Sequence, residues 1–176
     1  MHSKFGRTEN KSNEKVANKI QQVKQLESDG TEVLVLKADV SDDNAMENVI
    51  IEAKKRFGNI NGVIHAAGTV GEQAYRTIQE TNITEFQQQF KTKIAGTLVL
   101  EKILKERELD FCVLCSSIAT ILGGLGFSAY SAANQYMDVF ARQHNKTSLF
   151  PWISINWDAW HFDEKKSDSN FSSSLT

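Results

Sequence analysis

Residues 115–134 have the sequence CSSIATILGGLGFSAYSAAN, and this stretch decides how the rest of the chain is interpreted. It joins the end of an apolar run, closed by Ser116 and Ser117, to a glycine-rich segment and then to a segment of small residues. The pattern predicts three elements in order: a strand over residues 110–115, a mobile loop over 118–126 and a helix over 127–144. A strand followed by a loop and a helix is the unit from which parallel sheets are built.

The same alternation continues on both sides of this stretch. The spacing of apolar residues and the positions of caps and glycines predict further elements. These are a helix over residues 11–28 that ends at Asp29-Gly30, a strand over 31–37, a helix from a cap at Ser41 or Asp42 to Phe57, a strand over 60–65, a helix over 83–105 and a last strand over 150–157. We therefore expect an α/β fold, a Rossmann-like doubly wound parallel sheet with helices on both faces. In such sheets the ligand binds beyond the carboxyl ends of the strands.

Composition narrows the functional classes. The 176 residues carry 20 Lys and Arg against 22 Asp and Glu, so the charge pattern gives no indication of nucleic-acid binding. No apolar run is long enough to span a membrane, and the amino terminus has no secretory pattern, which predicts a cytoplasmic protein. The two cysteines, Cys112 and Cys115, lie in an apolar run and suit neither a disulfide scaffold nor a metal site. We interpret them as small hydrophobic residues, and His65 as a satisfied core histidine without a role.

Four polar residues near the predicted strand ends suggest a reaction. Tyr130 and Asn134 are four apart and share a helix face, Ser117 ends a strand, and Lys93 lies on the long helix. An ammonium beside a phenol lowers the pKa of the phenol, and a serine hydroxyl can hydrogen-bond a substrate carbonyl. Together they would protonate an alkoxide as hydride arrives at carbon. Taken singly each residue is more often structural, and Lys91 is an equally available lysine.

The joint spacing resembles the short-chain dehydrogenase/reductases and, within them, the ketoreductase domains of modular polyketide synthases. The matching motifs are ADVSD from residue 38, GVIHAAG from 62, FKTKIAGT from 90, the stretch 115–134, and ISINWDAW from 153. The resemblance implies a partial ketoreductase domain over residues 1–162. The tail, 163–176, is rich in serine and is expected to be disordered.

The ketoreductase assignment depends on Asn134. Most of the wider family has Lys four residues after the Tyr, whereas polyketide ketoreductases have Asn there and take the Lys from the preceding long helix, where Lys93 lies. The resemblance implies NADPH-dependent reduction of a β-ketoacyl chain on an acyl carrier protein, inside a multidomain synthase. A stand-alone alcohol dehydrogenase, which remains an alternative, would be expected to have Lys at position 134.

The resemblance also implies cofactor contacts. Asp39 matches the acid beside the adenine, with the Val40 backbone next to it, although the residue type alone equally suits a helix cap. The small residues of the next turn match the lining of the ribose; they are Ala66, Ala67 and Gly68. Arg7 matches the residue after the second strand, which pairs with the 2′-phosphate. Trp157 and Trp160 match a wall of the nicotinamide pocket, or are core residues.

The family's first strand and glycine-rich loop are absent before Arg7. That loop carries the main pyrophosphate contact, and the strand lies between the second and fourth strands of the sheet. We therefore expect an incomplete sheet, and a chain that by itself binds NADPH poorly and reduces nothing. A non-catalytic scaffold, or one part of a split domain, remains the alternative function.

Overall fold

The computed structural model describes residues 3–68 and 82–158, and only the backbone of residues 3–15 and 85. The sequence also predicts a loop over residues 69–82, which lies almost entirely outside the described residues, as do Trp160 and the predicted tail over 163–176. The chain divides into two compact units, Met1–Lys37 and Ala38–Thr176, which we describe separately.

The first unit contains one helix, α1 (Ser3–Ser28), which confirms the predicted helix and begins earlier than expected. It ends at Gly30, whose φ of +87° favours glycine, while the Thr31 amide donates to the Leu26 carbonyl. The predicted strand over residues 31–37 is wrong: this segment pairs with no other segment in the described part of the chain, and Val35 is 71% exposed. An extended segment becomes a strand only when a neighbouring strand accepts its hydrogen bonds.

The helical conformation of Arg7 bears on the predicted 2′-phosphate contact. Arg7 lies inside α1, where the resemblance implied the end of a strand. Its side chain is outside the described residues, so its role stays a prediction.

The second unit begins with a helix whose ends are fixed by local chemistry. Helix α2 (Asp43–Phe57) starts at Asp42, which accepts a hydrogen bond from the Ala45 amide at 3.0 Å. It stops at Gly58, whose φ of +84° a side chain would strain. Of the two predicted caps, the structure selects Asp42.

Three parallel strands form the sheet of the second unit. In the order β1 (Gly62–His65), β2 (Phe111–Ser117) and β3 (Trp152–Trp157), each strand pairs with the next, so β2 is central. The parallel arrangement confirms the predicted sheet. The predicted strand bounds shift by one or two residues, and β2 extends through both serines.

The helices that follow β1 and β2 confirm the predicted crossovers, with two local differences. The long helix is divided into α3 (Ile83–Phe90), a π turn (Lys91–Ala95) and α4 (Gly96–Leu104). The predicted loop after β2 contains a short helix, α5 (Ala119–Leu122), before the glycine turn. Helix α6 (Ser128–His144) then returns the chain to β3.

The core lies on one face of the sheet. Cys112 and Leu114 of β2 are fully buried and join a cluster to which α2, α4 and α6 contribute. On the opposite face, Ile64, Val113 and Ile153 form a row in register across the three strands. Ile64 is 66% exposed and Ile153 42%, so the described residues leave this face partly uncovered.

Candidate active site

Lys93 is the most buried charged side chain described. It lies in the π turn, is 5% exposed, and donates a hydrogen bond from Nζ to the Cys115 carbonyl at 3.0 Å. The same Nζ is 5.8 Å from the centre of the Tyr130 ring. The structure therefore brings together the predicted lysine and the predicted tyrosine, which come from the two crossovers.

The π turn separates two lysines that the sequence left equivalent. Lys91 forms an ion pair with Asp39 at 2.7 Å, in which both side chains are about half exposed. A π turn inserts an extra residue into a helix and changes the faces its side chains occupy, and such turns are frequent at functional sites. Of the two lysines, Lys93 is the one that is buried, with its Nζ near the Tyr130 ring.

Burial changes the protonation behaviour of Lys93. Loss of water around the ammonium lowers the pKa of Lys93, and the charges of Cys115 and Asp138 oppose this shift. A desolvated ammonium exerts a stronger field on its neighbours than a hydrated one does.

Ser117 lies at the carboxyl end of β2, as predicted, and is 9% exposed. Its Oγ accepts a hydrogen bond from the Ala119 amide at 3.2 Å, and Ala119 in turn accepts one from Ser131 Oγ at 3.1 Å. Because Ser131 follows Tyr130 directly, this chain of bonds connects the serine to the helix of the tyrosine.

Asn134 is fully buried one turn after Tyr130. Its Nδ2 donates to the Tyr130 carbonyl at 2.8 Å, and its own carbonyl accepts from Ser116 Oγ at 3.3 Å. Asn134 Oδ1 is buried with no hydrogen-bond partner among the described residues. Buried polar atoms are rarely left unpaired, so this oxygen marks a place where a further donor would be stabilising.

The small-residue turn expected to line the cofactor follows β1, at the same end of the sheet as Ser117. Ala66, Ala67 and Gly68 follow β1, and a Cβ on Gly68 would lie 3.4 Å from Lys93 Cε. Val40 packs against Gly96, where a Cβ would come within 2.8 Å of its Cγ1. The small residues of the turn thus leave space beside the lysine.

Asp39 accepts hydrogen bonds from Ser41 and Lys91. Its Oδ1 accepts hydrogen bonds from the Ser41 amide and hydroxyl at 3.0 and 2.7 Å, and its Oδ2 faces Lys91. The Lys91 hydrogen bond, followed by those from Ser41, holds the pKa of Asp39 well below its usual range. The alternative that Asp39 caps a helix is wrong, because the cap is Asp42.

His65 is buried, as expected for a core histidine, and it is satisfied in part, by a hydrogen bond with the Thr92 backbone. Its Nε2 has no hydrogen-bond partner among the described residues. Burial, assisted by the charge of Lys93, lowers the pKa of His65 to about 4. In the same strand layer, burial raises the pKa of Cys112 to about 12, which fits its interpretation as a small hydrophobic residue.

Sequence reasoning missed two residues that contact the site's framework, Asp138 and Asn156. Asn156 Nδ2 donates to the Ser117 carbonyl at 3.2 Å and to Asp138 Oδ2 at 2.9 Å. The available signal was the spacing of four that continues from Tyr130 through Asn134 to Asp138. Among the described residues, no group of three or more His, Cys, Asp or Glu could hold a metal ion, and none of the described helices has the length and apolarity to cross a bilayer.

Comparison with known proteins gives consistent matches. The family model described as "KR domain" matches residues 5–162. The chain is 38% identical over 142 residues to polyketide synthase PksM of Bacillus subtilis (strain 168), covering 81% of this chain and 3% of the synthase. The sequence therefore spans a small fraction of that relative's length.

Two solved structures with more than 30% identity match the fold. A ketoreductase domain from the bacillaene assembly line has a TM-score of 0.74 and 36% identity, covering 81% of this chain and 35% of that chain. An N-terminal ketoreductase from the macrolactin assembly line has a TM-score of 0.74 and 33% identity, covering 81% and 29%.

Proposed function

We infer the function of this chain from its family, because it belongs to the KR domains, the ketoreductase domains of polyketide synthases that share the short-chain dehydrogenase/reductase fold. The family consists of oxidoreductases that use a nicotinamide cofactor. We propose that this chain carries the catalytic part of an NADPH-dependent ketoreductase. It would reduce a β-ketoacyl thioester on an acyl carrier protein to the β-hydroxyacyl thioester, within a cytoplasmic multidomain synthase.

One observation carries this proposal: the buried ammonium of Lys93, 5.8 Å from the Tyr130 ring centre. Removing a lysine ammonium from water is costly unless its charge is compensated. A lysine buried in this way is therefore a candidate functional residue. Among the described residues Lys93 Nζ donates a hydrogen bond to the Cys115 carbonyl, which satisfies one of its three N–H groups. An ammonium held beside a phenol favours the phenolate.

The residues then have distinct roles in the reduction. The cofactor, when bound, supplies the hydride to the carbonyl carbon of the substrate. Tyr130 donates its phenolic proton to the carbonyl oxygen, so the ketone gains one hydride and one proton and becomes an alcohol. The Ser117 hydroxyl hydrogen-bonds that oxygen, and Lys93 stabilises the phenolate left behind. Asn134 holds the backbone of Tyr130 in place through its 2.8 Å hydrogen bond.

We propose that one end of the nicotinamide cofactor is held by the residues that the family resemblance indicated. Ala66, Ala67 and Gly68 would line the ribose, and a Cβ at Gly68 would fill the space beside Lys93. Asp39 and Val40 would lie at the adenine, although Lys91 already occupies one oxygen of Asp39. Arg7 would pair with the 2′-phosphate.

The chain covers only 35% and 29% of the two ketoreductase chains that it matches. We propose that a strand–loop–helix segment, in the same or another polypeptide, completes the domain and supplies the pyrophosphate contact. The exposed row of Ile64 and Ile153, and the edge of β1 that lies opposite β2, support this proposal. The same two features favour the alternative of a split-domain fragment whose role is association.

A fusion protein tests the reaction. The strand–loop–helix segment of the macrolactin ketoreductase would be joined to this chain, and oxidation of NADPH by a β-ketoacyl thioester followed by absorbance. We expect turnover by the fusion and none by the chain alone. Turnover by the chain alone would contradict the need for a completing segment.

Three substitutions in that fusion assign the roles. Tyr130→Phe should lower kcat by about 100-fold or more, because it removes the general acid. Lys93→Met should also lower kcat, whereas Lys91→Met, its matched control, should stay near the unsubstituted rate. Unchanged turnover in Tyr130→Phe would contradict the mechanism, and a larger loss in Lys91→Met than in Lys93→Met would contradict the lysine assignment.

A further inference from the structure

We propose that Asn156 and Asp138 are positioning residues that hold Ser117 in its working orientation relative to Tyr130. This inference rests on the proposed function, since it assigns a purpose to a polar network next to the proposed site. The network consists of hydrogen bonds among β2, β3, α5 and α6.

The side-chain amide of Asn156 lies at the centre of the network. Its Nδ2 lies within hydrogen-bond distance of three acceptors on different elements. They are the Ser117 carbonyl at 3.2 Å, Thr120 Oγ1 at 2.6 Å and Asp138 Oδ2 at 2.9 Å. A carbonyl and a carboxylate can only accept, so the amide must direct its N–H groups towards them. The orientation of Asn156 is therefore fixed by its surroundings.

These bonds hold the end of strand β2 at Ser117. Ser117 is the last residue of β2, where the ladder ends and the chain turns into α5. The Ile118 amide donates to the Trp157 carbonyl at 3.0 Å, and Asn156 binds the Ser117 carbonyl beside it. Together these bonds fix the peptide on which the Ser117 hydroxyl is mounted.

Asp138 links the network to helix α6, which carries Tyr130. Asp138 is eight residues after Tyr130 on α6, so the two share a helix face with Asn134 between them. Asp138 Oδ1 accepts from Ser154 Oγ at 2.5 Å and Oδ2 accepts from Asn156. The carboxylate thus ties α6 to β3 at two points, and Asn156 extends that tie to Ser117. A misplacement of about 1 Å between reacting groups can cost about 100-fold in rate, so such a tie has catalytic consequences.

An open cavity beside the network determines how the fold responds to a substitution. The network borders an open cavity of about 360 Å³ lined by Thr120, Asp138, Ser154 and Asn156. Water can enter this space and bind groups that a substitution leaves unpaired. Substitution of Asn156 is therefore expected to loosen the Ser117 turn without unfolding the unit.

Hydrogen–deuterium exchange on the full chain tests the proposal directly. In Asn156→Ala, exchange over residues 117–123 should become about tenfold faster, while exchange over 62–65 stays unchanged. Ser154→Ala is the matched control, because it removes a bond to Asp138 and leaves the bond to the Ser117 carbonyl. Equal acceleration in the control, or none in Asn156→Ala, would overturn the proposal.

A paired substitution identifies the bond that matters. Asn156→Asp together with Asp138→Asn restores a donor–acceptor pair between the two positions, but it leaves an oxygen facing the Ser117 carbonyl. Exchange over residues 117–123 should stay about tenfold faster. Restored protection would overturn the role given to the Ser117 carbonyl.

Kinetics in the fusion protein connect the network to the reaction. Asn156→Ala should lower kcat by about 10- to 100-fold with KM for the thioester changed by less than about threefold, because orientation and not binding is lost. An unchanged kcat would overturn the positioning role. If the unsubstituted fusion shows no Tyr130-dependent reduction, the proposed function fails, and the exchange comparison still decides whether Asn156 fixes the Ser117 turn.

Discussion

Residues 31–37 (TEVLVLK) and strand β2 (FCVLCSS) are two short apolar runs, and only the second forms a strand. Both runs contain residues that are enriched in strands, namely Thr and two Val in the first and Phe and Val in β2. The difference therefore does not come from the residues of the two runs themselves.

The difference comes from the neighbours. β2 pairs with β1 on one side and β3 on the other, and its Cys112 and Leu114 are completely buried. Residues 31–37 have no paired strand, and Val35 and Leu36 remain 71% and 40% exposed. In this chain a segment therefore joins the sheet only where a neighbouring strand is available to pair with it. A preference for extended structure is not sufficient.

Proline substitution should break the comparison most strongly. The Cys112 amide donates to the Pro151 carbonyl at 2.9 Å, and proline has no N–H to replace it, so Cys112→Pro in a central strand should abolish the cooperative unfolding transition. Val35→Pro should change the free energy of unfolding by less than about 1 kcal/mol. Urea unfolding followed by circular dichroism measures both. Unfolding of the chain by Val35→Pro would mean that residues 31–37 pair in solution.

Leucine truncation gives a graded version of the same test. Leu114 is completely buried and Leu34 is 38% exposed, so the same chemical change meets two environments. Leu114→Ala should lower the free energy of unfolding by about 2–5 kcal/mol, and Leu34→Ala by about 1 kcal/mol or less. Equal losses for the two variants would contradict the assignment of the core to β2.

Acid sensitivity extends the comparison to the strand beside β2. The pKa of His65 falls from its ordinary 6.5 to about 4 on folding. Between these values the unfolded chain binds the additional proton, so the free energy of unfolding should fall as pH falls, by about 2 kcal/mol between pH 7 and pH 5. His65→Asn should remove most of this dependence in urea titrations at the two pH values. An equally steep dependence in the variant would show that other groups cause it.

The sequence was sufficient for most of the second unit because its signals are local. The Asp42 cap, the Gly58 stop and the helix of small residues that becomes α6 all lie within a few residues of the structure they determine. The parallel arrangement followed from the alternation of elements. The strand at 31–37 could not be tested in this way, because pairing depends on residues far along the chain.

The candidate site shows the same limit. Spacing and the family resemblance predicted Tyr130, Asn134, Ser117 and Lys93, whereas residue type alone left Lys91 equally available; the π turn is what separates the two lysines in the structure. No composition signal distinguishes KTKIA in a π turn from the same residues in an α-helix. Asn156 and Asp138 were not identified because their importance lies in contacts between β3, α6 and β2, which no single segment contains.

The parallel order of the three strands has a consequence for how the chain folds. Parallel neighbours must be joined by long crossovers, here residues 66–110 and 118–151, and each crossover carries one half of the Lys93–Tyr130 pair. Closing such loops costs entropy before the distant contacts form, which slows folding. Any state in which only one crossover has docked can contain much of the helix and still lack the pair. In refolding experiments, recovery of the lysine–tyrosine contact should therefore lag behind recovery of helical signal, and it would report the last stage of assembly.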